Sequence, residues 1–382
     1  MRKYLICIVI LFISSTISKA QDPQLTQFYN NPVYLNPANA GATKTGRLIY
    51  NYRTQWPKIT RLKTTLISFD YFLPLLDKNT AFGIAILYMN DVAGDNLSLI
   101  KNNINIAVSI EKPVWSNWRI RGGIQYGYFG RRIGDDAGQL QFEDALITGG
   151  ITSEDFYGML GEKVTYSDIS VGTVLSGESL WFGAAAHHLN SPNQSISNVD
   201  YGDDMEKLHV KWTINAGWEI LKAETSTGSF SRALKVESMY LKQGKNAQFI
   251  AGFNYTIGWG LSKNQTDGGD GRYDDKEKSS EADISLTAGI WFRAIPLFGQ
   301  VDQNVSADAI AFHLGIETEA IESLTVGLGY SYDHNISSLN VTGAHEISLT
   351  LRTKQFFEGL KGCEKPMKWS RRRKYPANRS YL

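Results

Sequence analysis

The sequence predicts an all-β protein, a transmembrane antiparallel β-barrel of about 14 strands of the bacterial outer-membrane type. The chain has 382 residues and is rich in glycine (35) and in aromatic residues (12%), yet its mean hydropathy is only -0.25. Past the leader, no apolar run is long enough for a transmembrane helix. This combination is typical of a barrel, because only alternate residues of each strand face lipid.

Alternation of apolar and polar residues is the main signal for strands. In the clearest segment, one face carries Leu208, Val210, Trp212, Ile214, Ala216, Trp218 and Ile220, and the other carries His209, Lys211, Thr213, Asn215, Gly217 and Glu219. The alternating segments lie near residues 45–54, 64–73, 81–89, 103–111, 118–129, 165–175, 180–189, 208–220, 233–241, 247–258, 284–294, 308–317, 323–333 and 344–352. Each is close to the ~9–11 residues of a membrane-crossing strand, and an even number of strands is usual in bacterial barrels.

A soluble β-sandwich would also alternate, but three features favour the barrel. The segments are uniformly long, and their polar faces hold small and charged residues, as a barrel lumen does. Aromatic residues also lie near predicted strand ends, as an interfacial girdle requires: Tyr88, Trp118, Tyr128, Trp212 and Tyr332.

The first 20 residues read as a signal peptide. Arg2 and Lys3 precede a short apolar run, and Ser18-Lys19-Ala20 is a small-x-small cleavage site. The run is too short for a membrane anchor. Cleavage after Ala20 leaves Cys363 as the single cysteine, so no internal disulfide is expected, and we interpret Cys363 as a free thiol.

The segment after the leader contains two Asn-Pro steps, Asn31-Pro32 and Asn36-Pro37. A residue before proline is disfavoured in the helical region, so Asn31 and Asn36 are expected in extended or turn conformations. The stretch therefore predicts a polar, semi-rigid, non-helical lead-in to the sheet.

The amino-acid sequence of this stretch resembles the mature N-terminus of the PorP/SprF family, outer-membrane proteins of the Bacteroidetes type IX secretion and gliding machinery. The resemblance rests on Gln21-Asp22-Pro23, Gln27-Phe28-Tyr29, Leu35-Asn36-Pro37-Ala38 and Tyr52-Arg53-Thr54-Gln55-Trp56-Pro57. The motif positions are Gln21, Asp22, Pro23, Asn31, Pro32, Leu35, Asn36, Pro37, Gly41, Arg53, Gln55, Trp56 and Pro57. It implies an outer-membrane barrel without known catalytic residues.

The resemblance also implies a function and partners. The function is secretion or surface attachment of cargo with a type IX C-terminal domain, often a gliding adhesin. The partners are that domain, the periplasmic ring components with their lipoproteins, and outer-membrane lipid. Resemblance to other barrels with an N-terminal hatch adds the expectation that Gln21 to Gly41 folds into or under the lumen. A passive channel for small or apolar solutes is the alternative function.

The predicted organisation is a signal peptide (1–20), an N-terminal periplasmic or hatch segment (21–44), the barrel (45–353) and a basic periplasmic tail (354–382). With both termini periplasmic, the long connections 90–102, 130–164 and 190–207 face outward, and tight turns at 176–179 and 318–322 face inward. The hydrophilic stretch 259–283 conflicts with this pattern, because the count places it in the periplasm. Either a strand is miscounted near 233–258 or the loop is periplasmic.

Charged residues on the predicted lumen face are candidates for gating or peptide docking. The first set is Arg119, Arg121, Arg131, Glu219 and Arg293, and it is accompanied by Glu111, Arg132, Glu346 and Arg352. The alternative is a salt-bridged or solvated lumen that binds no specific ligand.

Other chemistry receives little support. The adjacent His187 and His188 should point to opposite faces of a strand and so cannot chelate a metal together. An acidic loop with Asp267, Asp270, Asp274 and Asp275 lacks EF-hand spacing. We find no nucleophile elbow, HExxH motif or P-loop. We therefore expect no enzyme activity, no metal and no cofactor, and a net charge of +1 gives no indication of nucleic acid binding.

The C-terminal tail is basic and contains Cys363, Pro366, Trp369, Arg371, Arg372 and Arg373. Basic runs of this kind are usually interaction tails. In the periplasm the tail could meet anionic headgroups, peptidoglycan or a partner protein, or it could simply be solvated.

Overall fold

The computed structural model describes most of the chain between Asp22 and Thr353. The described residues are 22–43, 45–56, 62–74, 80–94, 99–115, 117–134, 163–196, 207–224, 230–260, 284–296, 305–321, 324–336 and 343–353. The leader, the tail from 354 to 382 and the acidic stretch 261–283 lie outside this set, as do Gln21 and Pro57.

Fourteen strands form one closed antiparallel barrel, as the alternation predicted. They are β1 (Gly46–Gln55), β2 (Leu62–Pro74), β3 (Ala81–Ala93), β4 (Leu99–Trp115), β5 (Trp118–Ile133), β6 (Lys163–Ser176), β7 (Leu180–His187), β8 (Lys211–Glu224), β9 (Phe230–Gln243), β10 (Asn246–Trp259), β11 (Ile284–Pro296), β12 (Val305–Ile321), β13 (Leu324–Asn335) and β14 (Ala344–Thr353). Each strand pairs with its neighbours in sequence, and β1 pairs with β14 to close the ring.

The outer face of the barrel is an apolar band. On β4, the exposed side chains Ile104 and Ile106 alternate with the buried Asn103 and Asn105. Aromatic side chains are exposed near both ends of the strands: Trp115, Trp218 and Trp259 at one end, and Tyr88, Tyr128, Trp212 and Tyr330 towards the other. Among the described residues, no helix has the length and apolar character needed to cross a bilayer.

The two ends of the barrel are distinguished by the strands that begin or finish there. We call the end where β1 begins and β14 finishes the proximal end, and the opposite end the distal end. Strands β9 and β10 pair through a tight turn at Gly244, so the predicted strand count near 233–258 is correct. The connection from β10 to β11 therefore leaves the barrel at the proximal end, which removes the miscount as an explanation.

Several predicted boundaries were wrong by a few residues. Strand β4 runs over Leu99–Trp115 rather than 103–111, because the ladder continues past the apolar band. Strand β12 extends to Ile321, so residues 318–321 of the turn predicted at 318–322 belong to the strand. Strand β8 begins at Lys211, and Leu208, assigned by alternation to the outer face, is instead buried against Phe129 and Tyr166. Alternation identifies a face only where the backbone is a regular strand.

Because the outer face is an apolar band, a charged side chain on it should destabilise the barrel most near the middle of a strand. We expect Ile106→Arg, in the middle of β4, to lower the free energy of unfolding by about 2–4 kcal/mol, because the guanidinium would lie near the bilayer midplane. The control is Thr165→Arg on β6, at an exposed position near the distal end, where about 0–1 kcal/mol is expected. Urea unfolding in lipid vesicles measures both, and equal costs would contradict this placement of the band.

Candidate functional site

The N-terminal segment, residues 22–43, lies inside the ring of strands. Its side chains and backbone contact β2, β4, β6 to β9 and β11 to β14, so the wall surrounds it. The segment runs lengthwise: Asp22 lies beside the distal ends of β4, β8 and β9, and Gly41 lies beside β2 shortly before β1 begins proximally. Asp22 thus lies at the distal end and β14 finishes at the proximal end, and the prediction that both termini are periplasmic stays a prediction.

The two Asn-Pro steps shape this segment locally. Pro32 opens a short α-helix (Pro32–Leu35) and Pro37 opens a 3-10 turn (Pro37–Asn39), each at a position where the missing proline N–H is not needed. Asn36 caps the second turn, since its Oδ1 accepts a hydrogen bond from the Ala38 N–H at 2.9 Å. Asn31 Nδ2 donates to the Gln27 carbonyl at 3.1 Å, and Asn39 Nδ2 donates to the Pro32 carbonyl at 2.9 Å. The segment thus satisfies much of its own backbone.

Three glycines on the wall let this segment approach closely. A Cβ on Gly123 of β5 would lie 2.4 Å from the Ala38 nitrogen, and one on Gly83 of β3 would lie 1.9 Å from the Ala40 oxygen. On β6, a Cβ on Gly172 would lie 2.0 Å from Asn36 Oδ1. All three distances are far below van der Waals contact, so these positions tolerate no larger residue while the segment is in place.

Asn36 also binds the wall directly. Its Nδ2 donates to the backbone carbonyls of Thr173 on β6, at 3.0 Å, and of Ala184 on β7, at 3.2 Å. Asn36 is fully buried, and its side chain therefore both caps its own turn and joins the segment to two adjacent strands.

The apolar side of the segment packs against β11. Tyr29 stacks on Trp291 with ring centroids 4.7 Å apart and an interplanar angle of 15°. Phe28 meets the same indole edge-on at 5.2 Å. Leu35 and Met239 complete this buried cluster. Aromatic pairs of this kind contribute about 0.5–1.5 kcal/mol beyond their burial.

A second group of contacts, the seam cluster, lies where β1 meets β14. The Glu346 carboxylate accepts hydrogen bonds from the backbone N–H groups of Thr26 at 2.6 Å and Gln27 at 3.1 Å. Arg53 of β1 pairs with Glu346 at 3.2 Å and with Asp333 of β13 at 3.0 Å. The Thr26 hydroxyl also donates to Asp333 at 2.7 Å. All of these groups are buried, and both carboxylates are bound by Arg53 and by donors of the N-terminal segment.

A third group, the distal cluster, surrounds Asp22. Its carboxylate accepts from Lys101 Nζ of β4 at 2.9 Å, from Lys211 Nζ of β8 at 2.7 Å and from His188 Nε2 at 2.7 Å. The other ring nitrogen of His188 lies 2.8 Å from Asp168 on β6. Because a carboxylate oxygen faces each ring nitrogen, both nitrogens donate and His188 is an imidazolium.

The electrostatic environment supports these charge states. Burial raises the pKa of the Asp22 carboxyl, but His188, Lys101 and Lys211 together outweigh it and hold that pKa well below its usual range. Burial lowers the pKa of His188, but the Asp22 charge and the hydrogen bonds to Asp168 and Asp22 outweigh it, so the net shift is upward. Both shifts favour the charged forms of Asp22 and His188.

The prediction that His187 and His188 face opposite sides was wrong. Strand β7 ends at His187, and His188 adopts a positive φ of 61°, which breaks the alternation and turns its ring inward. Both rings are buried, with centroids 6.3 Å apart, and His187 Nε2 lies 3.2 Å from the Leu35 carbonyl. Within the described part of the chain, no three His, Cys, Asp or Glu residues are grouped as metal ligands.

The predicted lumen charges bind one another rather than converging on one place. Arg119 and Arg121 both pair with Glu111. Arg293 pairs with Asp308 and with Asp333, the latter at 2.8 Å, and so joins the seam cluster.

The remaining predicted charges are scattered. Arg131 donates to the Gln194 carbonyl at 2.8 Å. Glu219 is half-buried beside a β-bulge in β8, and Arg352 pairs with Glu317 at 2.8 Å. These placements fit a salt-bridged lumen, and a partner contact for these residues stays a prediction.

The motif positions separate into two groups. Asp22, Asn36, Gly41 and Arg53 join the segment to the wall, and the Asn31 side chain bonds within the segment. Gln55 and Trp56 instead lie at the distal end of β1, where the Trp56 N–H donates to the Gly343 carbonyl. Pro23 accepts a hydrogen bond from the Tyr34 hydroxyl at 2.6 Å. The predicted tail residues and the acidic loop lie outside the described residues.

Sequence reasoning missed the wall partners of Asp22 and the glycine contacts. Lys101, Asp168 and Lys211 were not selected, although each is a charged residue at an inward position of an alternating strand. That inward position was the available signal. The pairing itself depends on how far each strand is shifted along its neighbour, which alternation does not report.

The glycine contacts predict a sharp difference between two adjacent residues. We expect Gly123→Ala to destabilise the barrel by about 1–3 kcal/mol through overpacking and to expose the N-terminal segment to protease, because its Cβ would overlap the backbone at Ala38. A Cβ on Gly122 would meet nothing within 4 Å, so Gly122→Ala is the matched control. Thermal unfolding and limited proteolysis measure both effects, and identical behaviour of the two variants would contradict the packing.

The distal cluster predicts a bounded pH range of maximal stability. The stabilisation from His188, whose pKa is raised, is complete below its ordinary value of ~6.5 and is lost as pH rises through the raised value. The contribution of Asp22, whose pKa is lowered, is present above ~3.9 and is lost as pH falls. We therefore expect maximal stability between about pH 4 and 6.5.

Thermal unfolding across this range measures the effect. The variant His188→Gln should lose the decline on the alkaline side, whereas His345→Gln, on the outer face beside Tyr330, should keep it. If Tm changed with pH in the same way for wild type and His188→Gln, protonation of His188 would not be linked to folding.

Several outer-membrane proteins of known structure resemble this chain. No curated protein matches the chain. Similar solved structures include a FadL homologue from Pseudomonas aeruginosa, with 11% identity over 85% of this chain and 94% of that one and a TM-score of 0.46. The CymD monoaromatic hydrocarbon channel has 10% identity, coverage of 85% and 91%, and a TM-score of 0.43. The translocator domain of the autotransporter NalP from Neisseria meningitidis has 11% identity, coverage of 81% and 88%, and a TM-score of 0.35.

The family comparison is decisive where the structural ones are weak. The model of the type IX secretion system membrane protein PorP/SprF matches residues 17–351, which include the N-terminal segment and almost the whole barrel. The chain therefore belongs to the PorP/SprF family of type IX secretion system membrane proteins, and it is an outer-membrane β-barrel.

Proposed function

We propose that this barrel is a non-enzymatic component needed for secretion or surface attachment of a cargo protein with a type IX C-terminal domain, such as a gliding adhesin. Family membership supports the secretion role. The observation that carries the proposal is the filled lumen, since the N-terminal segment occupies the space through which a solute would pass. A filled barrel suits an anchor that holds a protein at its surface.

The contacts favour a segment that stays in place. The carboxylates of Glu346 and Asp333 accept three hydrogen bonds from Thr26 and Gln27, and Asp22 adds three ionic contacts. Hydrogen bonds to charged groups contribute about 1.5–3 kcal/mol each. Spontaneous withdrawal is therefore costly, and a passive channel would need frequent withdrawal.

The two ends of the barrel would meet different partners. We propose that the distal end faces outward and holds the cargo domain, and that the proximal end faces the periplasm. Strands β10 and β14 end at the proximal side, from which the chain continues into the stretch 261–283 and the basic tail. We propose that these two stretches contact the periplasmic ring components and their lipoproteins. The charges of Arg371, Arg372 and Arg373 suit an anionic surface there.

A passive channel for small or apolar solutes is the second candidate. It would require movement of the segment around Asn31 to Gly41. The cavities at the segment argue against it, since the one beside Asp22 holds about 80 Å³ and the one beside Tyr34 about 20 Å³. Both are smaller than the ~300 Å³ typical of a small-molecule site.

Affinity purification combined with conductance tests the proposal. We expect a tagged protein from detergent-solubilised outer membranes to bring down type IX ring components or a very large secreted surface protein, identified by mass spectrometry. An unrelated barrel with the same tag is the control. The same preparation should show no steady pore in planar bilayers. Recovery of the barrel alone together with a steady open pore would reject the anchoring role and favour the channel.

A further inference from the structure

The N-terminal segment carries one charged residue between positions 22 and 43, and that residue is Asp22. Its three cationic partners all belong to the wall: Lys101 on β4, Lys211 on β8 and His188 directly after β7. The partners therefore remain together when the segment is absent. The wall thus presents three converging N–H donors to a carboxylate that the segment supplies.

Withdrawal of Asp22 would leave this group of charges unbalanced. Three positive charges would then face two carboxylates, that of Asp168 beside His188 and that of Asp91 near Lys101. The side chains of Lys211 and His188 are only 5% and 4% exposed. Unpaired buried charges are strongly unfavourable, so a withdrawn state needs another anion at the same place.

The seam cluster behaves differently. There the segment contributes neutral donors from Thr26 and Gln27, and the wall carboxylates pair with Arg53 and Arg293. Withdrawal at the seam breaks hydrogen bonds but leaves the net charge of the cluster unchanged. Insertion of the segment into the lumen therefore depends on a negative charge at the distal cluster and not at the seam cluster.

There is space for another group beside Asp22. The cavity of about 80 Å³ is lined by Asp22, Gln24, Lys211, Gln243 and Gln248, among others. The buried Gln248 Oε1 in this lining accepts no hydrogen bond from the described residues. This cavity lies at the distal end of the barrel, on the side where β4 and β8 begin.

We propose that Lys101, Lys211 and His188 form a carboxylate-binding site that Asp22 occupies in the closed barrel and that an external carboxylate occupies when the segment withdraws. The external group is either the carboxylate of a bound polypeptide or that of a small acid. Binding of the external carboxylate and withdrawal of the segment are then one linked equilibrium. This site does not require the cargo role, so either proposal can fail without the other.

Chemical rescue tests the site itself. In the full-length barrel in detergent, Asp22→Ala should lower the Tm, and saturating acetate should raise the Tm of this variant by about 2–4 °C while leaving wild type unchanged. Acetamide, which has the same shape without the charge, should not rescue. Asp22→Asn keeps the site filled and should not respond to acetate. An equal response of wild type and Asp22→Ala, or rescue by acetamide, would overturn the site.

Labelling identifies the source of the carboxylate without weakening the closed barrel at Asp22. The variant Gln24→Cys in a Cys363→Ser background places one thiol on the segment. The rate at which a bulky maleimide labels this thiol reports withdrawal of the segment. N-acetyl-tetraalanine with a free C-terminal carboxylate should accelerate labelling severalfold, and its C-terminal amide should not. Acceleration by acetate as well supports a small-acid ligand, and acceleration by the peptide acid alone supports a polypeptide. Equal labelling rates with no addition, acetate, the peptide acid and the amide would overturn external occupation.

Discussion

Pairing of β1 with β14 is the constraint on which the whole structure depends. The two strands align over ten residues, from Gly46 opposite Thr353 to Gln55 opposite Ala344. Backbone polar groups facing lipid have no water to bind, so an open sheet edge in the bilayer is not viable. The same seam carries Arg53 and Glu346, which hold the N-terminal segment. Closure of the wall and filling of the lumen are thus coupled through shared side chains.

The lumen combines two ways of holding a chain segment. Small residues on β3, β5 and β6 allow close backbone contact, and buried ion pairs of Arg53 with Asp333 and Glu346 lie against the segment in the seam cluster. Buried ion pairs contribute little net stability, because desolvation offsets much of the attraction, but loss of one partner is costly. Such pairs therefore favour one seated arrangement over alternatives more than they add to total stability.

The direction of the segment has a consequence for secretion. Because the chain runs from Asp22 at the distal end to Gly46 at the proximal end, the beginning of the described chain lies near the face proposed to hold cargo. The segment thereby connects the two ends of the barrel. Between these ends it contacts the wall through Thr26 and Asn36.

The sequence predicted a non-helical N-terminal segment and so missed the short helix at Pro32–Leu35. It did determine the strand number, the face that residues of the regular strands take and a turn at Asn36-Pro37. These are local properties: alternation reports which face a residue takes, and Asn36 before Pro37 specifies a capped turn. Tertiary structure alone decided that Lys101 and Lys211, which are 79 and 189 residues from Asp22, meet at its carboxylate. It also decided that His187 and His188 share the lumen, because β7 ends between them. Such contacts depend on register and closure around the ring, and a period of two residues carries no information about either.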